Sequence, residues 1–149
     1  MRKAFTIVEL IIVVTVLGIL AAAVLPQLQS HATRAKEAAA KSNLRLLRGV
    51  IELYAGRHNS VPPGYAQDDP QAAPSSLTFH EQTITKGDYF RRMPKNPFNY
   101  LDTIKVIANG GTLPENATGD YGWIYQPATK TIKLDWPNVD KDGIRYYDY

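Results

Sequence analysis

Residues 5–25 read FTIVELIIVVTVLGILAAAVL and form one long apolar stretch. As an α-helix, these 21 residues would rise about 31 Å, which is enough to cross the hydrocarbon core of a bilayer. Pro26 closes the stretch, at a position where a helix is expected to kink or break. Arg2 and Lys3 precede it and favour a cytoplasmic N-terminus. The stretch therefore predicts a membrane-spanning helix.

A single carboxylate, that of Glu9, interrupts this apolar stretch. Ionisable side chains inside membrane helices are costly, and they usually mark functional positions. The alternative is a secretory signal peptide or a simple anchor with one tolerated polar residue. Signal peptides have a shorter apolar region, followed by a cleavage site of small residues. Here the apolar run continues through residues 21–23 to Leu25, so the pattern favours a functional Glu9.

Residues 3–10, KAFTIVEL, resemble the processing and methylation signature of type IV pilins and type II secretion pseudopilins. That family has a short basic leader, cleavage before a Phe, and a Glu as the fifth residue of the mature chain. The resemblance implies cleavage of the Ala4–Phe5 bond, N-methylation of Phe5, and a role for Glu9 in assembly. Ala4 stands where the family usually has Gly, and it is the nearest substitute in size, so we expect cleavage to be retained.

The predicted organisation has four parts: a leader (1–4), a transmembrane and assembly half-helix (5–26), an amphipathic helix (27–59) and a globular head (60–149). From Leu46 onward, the apolar residues of the third part recur at spacings of three and four, which is typical of an amphipathic helix. This part carries an excess of basic residues. We interpret them either as a solvated helix face or as partners for acidic surfaces of neighbouring subunits.

The head is predicted to combine loops with a small sheet. Prolines and glycines indicate a loop, with a short helix from about Ser75 to Thr85. Residues 122–125 and 131–134 are β-rich and flank a Pro-bearing turn, which is typical of a hairpin, and residues 103–109 are a further candidate strand. The fold class is therefore α+β. The pilin resemblance adds the packing, with the long N-terminal helix against a small antiparallel sheet. The predicted inward-facing residues are Trp123, Tyr125, Ile132 and Leu134.

Residues 89–98, YFRRMPKNPF, have two prolines flanked by aromatic residues and resemble a segment of the major pseudopilins. A cluster of rings and arginines could also stack on the bases of a single strand and neutralise its phosphates. The chain has one such cluster and no series along a groove. We therefore interpret the segment as packing under the sheet, and we expect no nucleic-acid partner.

Composition excludes several classes of protein. The formal charge is +3, but Arg2 and Lys3 of the leader supply two of those charges, so the basic balance does not indicate nucleic-acid binding. Cysteine is absent, which excludes a disulfide, a zinc–thiolate site and a thiol nucleophile. The sequence contains no GxSxG, HExxH or P-loop motif. We therefore predict that the protein is not an enzyme.

The end of the sequence contains a candidate calcium site. Residues 138–143 read NVDKDG, with oxygen-bearing side chains at alternate positions and a Gly for the turn, as at the start of a calcium loop. Position twelve of that loop is Tyr149 rather than Glu, so it is not an EF-hand. The alternative is an acidic surface turn without metal. With the positions implied by the resemblance to major pseudopilins, the predicted Ca²⁺ ligands are Asp140, Asp142, the carbonyl of Ile144, and Asp148.

Together with these observations, the resemblance implies a structural subunit of an inner-membrane-anchored pseudopilus that drives type II protein secretion. The resemblance implies four partners: further copies of the chain in a helical homopolymer, minor pseudopilins, the prepilin peptidase/methyltransferase, and the inner-membrane assembly platform. It also implies a single-pass protein of the bacterial inner membrane with a periplasmic head, which is extracted into a periplasm-spanning fibre. The alternatives are a type IV pilin for adhesion, motility or DNA uptake, and a monomeric membrane-anchored binding protein.

Overall fold

The structure, a computed structural model, describes residues 6–87 and 89–149, apart from the side chains of residues 23–28. The chain divides into two units. The first ends at Lys36, and the second extends from Glu37 to Tyr149.

A long helix, α1, begins at Ile7 and ends at Arg57, so it contributes to both units. Its backbone is helical through Pro26, and the helix does not break there. A proline removes one backbone N–H donor, and the turns on either side remain helical. In the first unit, the large apolar side chains from Ile7 to Leu20 are 48% to 77% exposed. Across the described part of the chain, no helix is both long and apolar enough to cross a membrane.

In the second unit, α1 buries one face. The buried positions recur at spacings of three and four, as the amphipathic pattern predicts. Leu46 and Leu53 belong to the predicted stripe, yet they are 50% and 47% exposed. They are two helical turns apart and so share a side of the helix that is turned away from the core. The buried residues on this part of α1 are Ala40, Leu44, Leu47, Val50, Ile51, Tyr54 and Ala55.

A short helix, α2, extends from Ser76 to His80 and is followed by a π-helical turn over Glu81–Thr85. This confirms the predicted short helix. Ser75 is the N-cap, because its hydroxyl accepts a hydrogen bond from the backbone N–H of Thr78 at 3.1 Å.

The sheet has three strands in the order β1-β2-β3: β1 (Ile104–Val106), β2 (Trp123–Gln126) and β3 (Thr131–Leu134). Strands β2 and β3 form the predicted antiparallel hairpin. Strand β1, however, pairs with β2 in parallel, so the prediction of a purely antiparallel sheet is wrong and the sheet is mixed. The physical reason is the connection over residues 107–122, which returns the chain to the end from which β1 started. Such a crossover needs a dozen or more residues.

The hairpin supplies the centre of the core. In the register of the hairpin, Trp123 lies opposite Leu134 and Tyr125 lies opposite Ile132. All four side chains are at most 1% exposed, which confirms the predicted inward face.

The segment predicted to pack under the sheet also joins this core. Phe90 and Met93 are each 6% exposed. The indole N–H of Trp123 donates to the carbonyl of Pro94 at 2.8 Å.

A buried carboxylate fixes the irregular crossover. Asp135 has no exposed surface. Its carboxylate accepts hydrogen bonds from the backbone N–H groups of Thr118 at 2.7 Å, Gly119 at 3.1 Å and Tyr121 at 2.9 Å. These bonds hold the backbone of the loop in place without regular secondary structure.

The same crossover passes very close to its neighbours at Gly122. A Cβ atom at that position would lie 2.3 Å from the carbonyl oxygen of Leu101, so no side chain fits there. The buried amide of Asn96 donates to the carbonyl of Gly122 at 3.2 Å, which ties the loop to the core.

Candidate functional site

The start of α1 places Glu9 in a capping box with Thr6. The backbone N–H and the hydroxyl of Thr6 donate to Oε2 of Glu9 at 2.9 and 2.8 Å, and the N–H of Glu9 donates to the Thr6 hydroxyl at 3.2 Å. These reciprocal bonds satisfy donors that a helix start otherwise leaves open. The spacing Thr-x-x-Glu in the sequence is that of a capping box, although the prediction for Glu9 rested on its apolar surroundings and on the signature.

The predicted processing site lies outside the described residues. Ala4 and Phe5 belong to residues 1–5, so cleavage between them and methylation of Phe5 stay predictions. Glu9 itself is described and is exposed. Its position among exposed apolar side chains is consistent with the predicted assembly role, which the structure does not test.

We call residues 138–149 the tail. Within it, the carboxylate of Asp140 accepts hydrogen bonds both from the adjacent turn and from the last residue, Tyr149. Oδ1 of Asp140 accepts from the backbone N–H groups of Asp142 and Ile144, each at 2.9 Å. Oδ2 accepts from the phenol of Tyr149 at 2.8 Å. The bond from Tyr149, with help from the two backbone donors, lowers the pKa of the Asp140 carboxyl below its usual value.

Asp148 lies between two cations. Its Oδ1 is 3.1 Å from Nζ of Lys133 on β3, and its Oδ2 is 2.7 Å from Nε of Arg145. The hydrogen bond from Arg145 first, and that from Lys133 second, lower the pKa of the Asp148 carboxyl. Asp142 pairs with its neighbour Lys141 at 2.8 Å on the surface.

The predicted calcium ligands do not form a metal site in this arrangement. Among the described residues, no group of three or more His, Asp or Glu side chains is placed to hold a metal ion. Calcium needs six to eight oxygen ligands. The carbonyl of Ile144 accepts the N–H of Asp140 at 2.8 Å, and each of the three carboxylates is bonded to donors of the chain itself. Calcium binding therefore stays a prediction, and the present donor set does not fit the ion.

Two buried tyrosines anchor the tail. Tyr146 and Tyr147 are each 4% exposed. The Tyr146 phenol donates to Oε1 of Glu37 at 2.9 Å, and the Tyr147 phenol donates to the carbonyl of Pro114 at 2.8 Å. These contacts could not be predicted from sequence patterns, because their partners are distant along the chain.

Comparison with known proteins gives two kinds of similarity. Residues 1–25 match the family described as the prokaryotic N-terminal methylation motif, and these residues include the predicted signature. The chain is 30% identical to type II secretion system core protein G of Vibrio cholerae over 130 residues, covering 80% of this chain and 88% of that protein.

Two further relatives have the same printed name. The core protein G of Pseudomonas aeruginosa is 30% identical over 106 residues, covering 67% of this chain and 73% of that protein. The core protein G of Klebsiella pneumoniae is 27% identical over 97 residues, covering 65% and 69%. No solved structure shows significant similarity to the chain.

Proposed function

The chain belongs to the type II secretion system core protein G family, and we propose that it is the main fibre-forming subunit of a pseudopilus. Family membership confirms the resemblance found in the signature. The observation that carries the proposal is the similarity along 88% of the Vibrio cholerae protein, which extends far beyond the methylation motif. The role is structural rather than catalytic, and the family name favours secretion over a type IV pilus.

We propose that the apolar half of α1 anchors the subunit in the inner membrane, with the head in the periplasm, until the subunit enters the fibre. The support is the exposure of the large apolar side chains from Ile7 to Leu20. Surfaces of this kind require lipid or protein partners. Assembly transfers them from lipid to the helices of neighbouring copies. The minor pseudopilins, the prepilin peptidase/methyltransferase and the assembly platform are the other partners in this proposal.

In the fibre, we propose that Glu9 pairs with the amine of Phe5 in a neighbouring copy. Both Thr6 donors converge on Oε2 of Glu9, so Thr6 holds the carboxylate at the helix start. The Phe5 amine of a neighbouring copy, bonded to Oε1, would neutralise the negative charge of Glu9 when the fibre buries it. Losing one member of a buried ion pair costs about 3–5 kcal/mol.

The test is complementation of a strain that lacks this gene. We expect the intact protein to restore the release of exported enzymes and the formation of fibres that can be sheared off. Glu9→Val should be present in membranes but should fail in both assays. Glu81→Gln is the matched control, because it removes an exposed carboxylate that pairs with Lys86 in the head.

Unchanged secretion in the deletion strain would contradict the proposed function. Loss of surface motility or of DNA uptake, with secretion intact, would instead identify a type IV pilin. Normal fibres from Glu9→Val would leave the secretion role in place and remove the Glu9–Phe5 pairing.

A further inference from the structure

We infer that ion pairs and tyrosine hydrogen bonds within the protein hold the tail in its folded conformation, and that the tail does not need a calcium ion for this. The inference goes beyond the proposed function, because it rests only on contacts within the second unit. It also opposes the calcium site predicted from the sequence, so one set of measurements decides between the two.

The first step concerns the cations at Asp148. Lys133 and Arg145 approach different oxygens of this carboxylate, at 3.1 and 2.7 Å. Both cations are held in place by further contacts. Nζ of Lys133 lies 4.3 Å from the ring centre of Tyr147, and Nη1 of Arg145 donates to the carbonyl of Glu115 at 3.2 Å. A calcium ion at Asp148 would have to displace or approach two fixed positive charges.

The second step concerns Asp140, which joins two parts of the tail that a bound ion would otherwise join. Its two oxygens join the turn at residues 142–144 to the phenol of Tyr149. The hydrogen bond between Asp140 and Tyr149 thereby closes the segment between them into a loop. The hydrogen bond from the Tyr149 phenol links the end of the tail to Asp140, as a shared metal ion would. Nζ of Lys41 lies 4.1 Å from the ring centre of Tyr149.

The third step is the balance of charge. A calcium ion bound by carboxylate oxygens also neutralises their charge. Two of the three aspartates of the tail already have a cation within ion-pair distance: Asp142 pairs with Lys141, and Asp148 pairs with Lys133 and Arg145. The carboxylate of Asp140 instead accepts hydrogen bonds from the Tyr149 phenol and from two backbone N–H groups.

The test uses the full chain in detergent micelles, with millimolar calcium chloride or with EGTA. Thermal melting and hydrogen exchange of the tail amides should be the same in both conditions. A higher melting temperature in calcium, with tail amides protected only in calcium, would overturn the inference. Neither measurement depends on secretion, so the proposed function can fail or stand independently.

Removing either cation at Asp148 should loosen a tail that is held by ion pairs, but it should strengthen calcium binding at a metal site. If side chains close the tail, Arg145→Gln and Lys133→Gln should speed tail exchange in EGTA by about two- to fivefold, since partly exposed ion pairs contribute modestly. A calcium site would instead bind its ion more tightly after either change, because a repelling cation is removed.

Asp142→Asn should affect a calcium site but not a tail that is held by side-chain contacts. This carboxylate is on the surface and pairs with its neighbour in the sequence, Lys141. We expect unchanged melting and tail exchange, whereas a calcium site would lose a ligand and its response to the ion. A calcium response that disappears in Asp142→Asn and increases in Arg145→Gln would show that the tail is a metal site.

Discussion

The two units of the molecule use apolar side chains in opposite ways, although a single helix contributes to both. From Ile7 to Leu20, the large apolar side chains of α1 are 48% to 77% exposed, whereas those buried between Ala40 and Ala55 are at most 7% exposed. The second unit finds its partners in its own sheet and loops. The large apolar side chains of the first unit stay exposed, and under the proposed function lipid or neighbouring copies cover them. The comparison shows that one helix can include a face that folding buries and a stretch that folding leaves exposed.

The largest difference between the two units should appear when a large side chain is removed from each. Trp123→Ala deletes a fully buried ring together with its hydrogen bond to Pro94, and it should cost about 3–5 kcal/mol. Leu17→Ala should change the stability of the head by less than about 0.5 kcal/mol, because Leu17 is 59% exposed. Thermal melting of the full chain in detergent, followed by near-ultraviolet circular dichroism, measures both. Equal losses would contradict the comparison.

A smaller loss should follow from the buried carboxylate that fixes the parallel crossover. Asp135→Ala leaves three backbone N–H groups without their acceptor, and we expect a loss of about 2–3 kcal/mol. Denaturant unfolding measures this loss. Asp120→Ala, an exposed change in the same loop, is the control and should be nearly silent. If the two variants are equally stable, the crossover does not depend on Asp135.

In the first unit, the expected effect is local and about 1 kcal/mol. Thr6→Val removes the hydroxyl of the capping box, so the amide of Glu9 should exchange about fivefold faster. Melting of the head should not change. Thr15→Val is the matched control, because its hydroxyl bonds within the helix to the carbonyl of Ile11. Faster exchange at Glu9 in both variants would argue against a specific cap.

The smallest effect at neutral pH concerns Tyr54 at the end of the buried face. Burial, and then its 2.6 Å hydrogen bond to Asp68, raise the pKa of this phenol well above its usual value. The folded protein therefore favours neutral Tyr54. Its contribution is complete below about pH 10 and is lost as the pH rises through the folded pKa. Tyr54→Phe should flatten the alkaline part of the stability curve, as measured by urea unfolding at several pH values. An unchanged curve would exclude this role.

Local patterns predicted local structure well. The alternation around Trp123 and Tyr125, with a turn after them, predicted the hairpin and its inward face, because strand pairing across a short turn depends on neighbouring residues. The parallel pairing of β1 was not predicted, because it depends on the path of the long irregular connection over residues 107–122, which no local pattern specifies. The capping box at Thr6 was predictable from spacing alone.

In the tail, the spacing pattern predicts a calcium site, whereas the contacts of the carboxylates involve residues that are distant along the chain. Alternate oxygen side chains from Asn138 to Asp142 are a calcium-loop pattern, and this pattern is local. The cation that reaches Asp148 from β3 is Lys133, which no spacing rule connects to the tail.

The ion pairs of Asp148 also determine which change in the surroundings would loosen the tail. Lys133 and Asp148 are 25% and 37% exposed, so dissolved salt can reach and screen their attraction. The screening length is about 8 Å at physiological ionic strength and about 3 Å at 1 M salt. If these ion pairs close the tail, we expect about 1 M salt to loosen it in the isolated protein, and we expect a chelator to leave it unchanged.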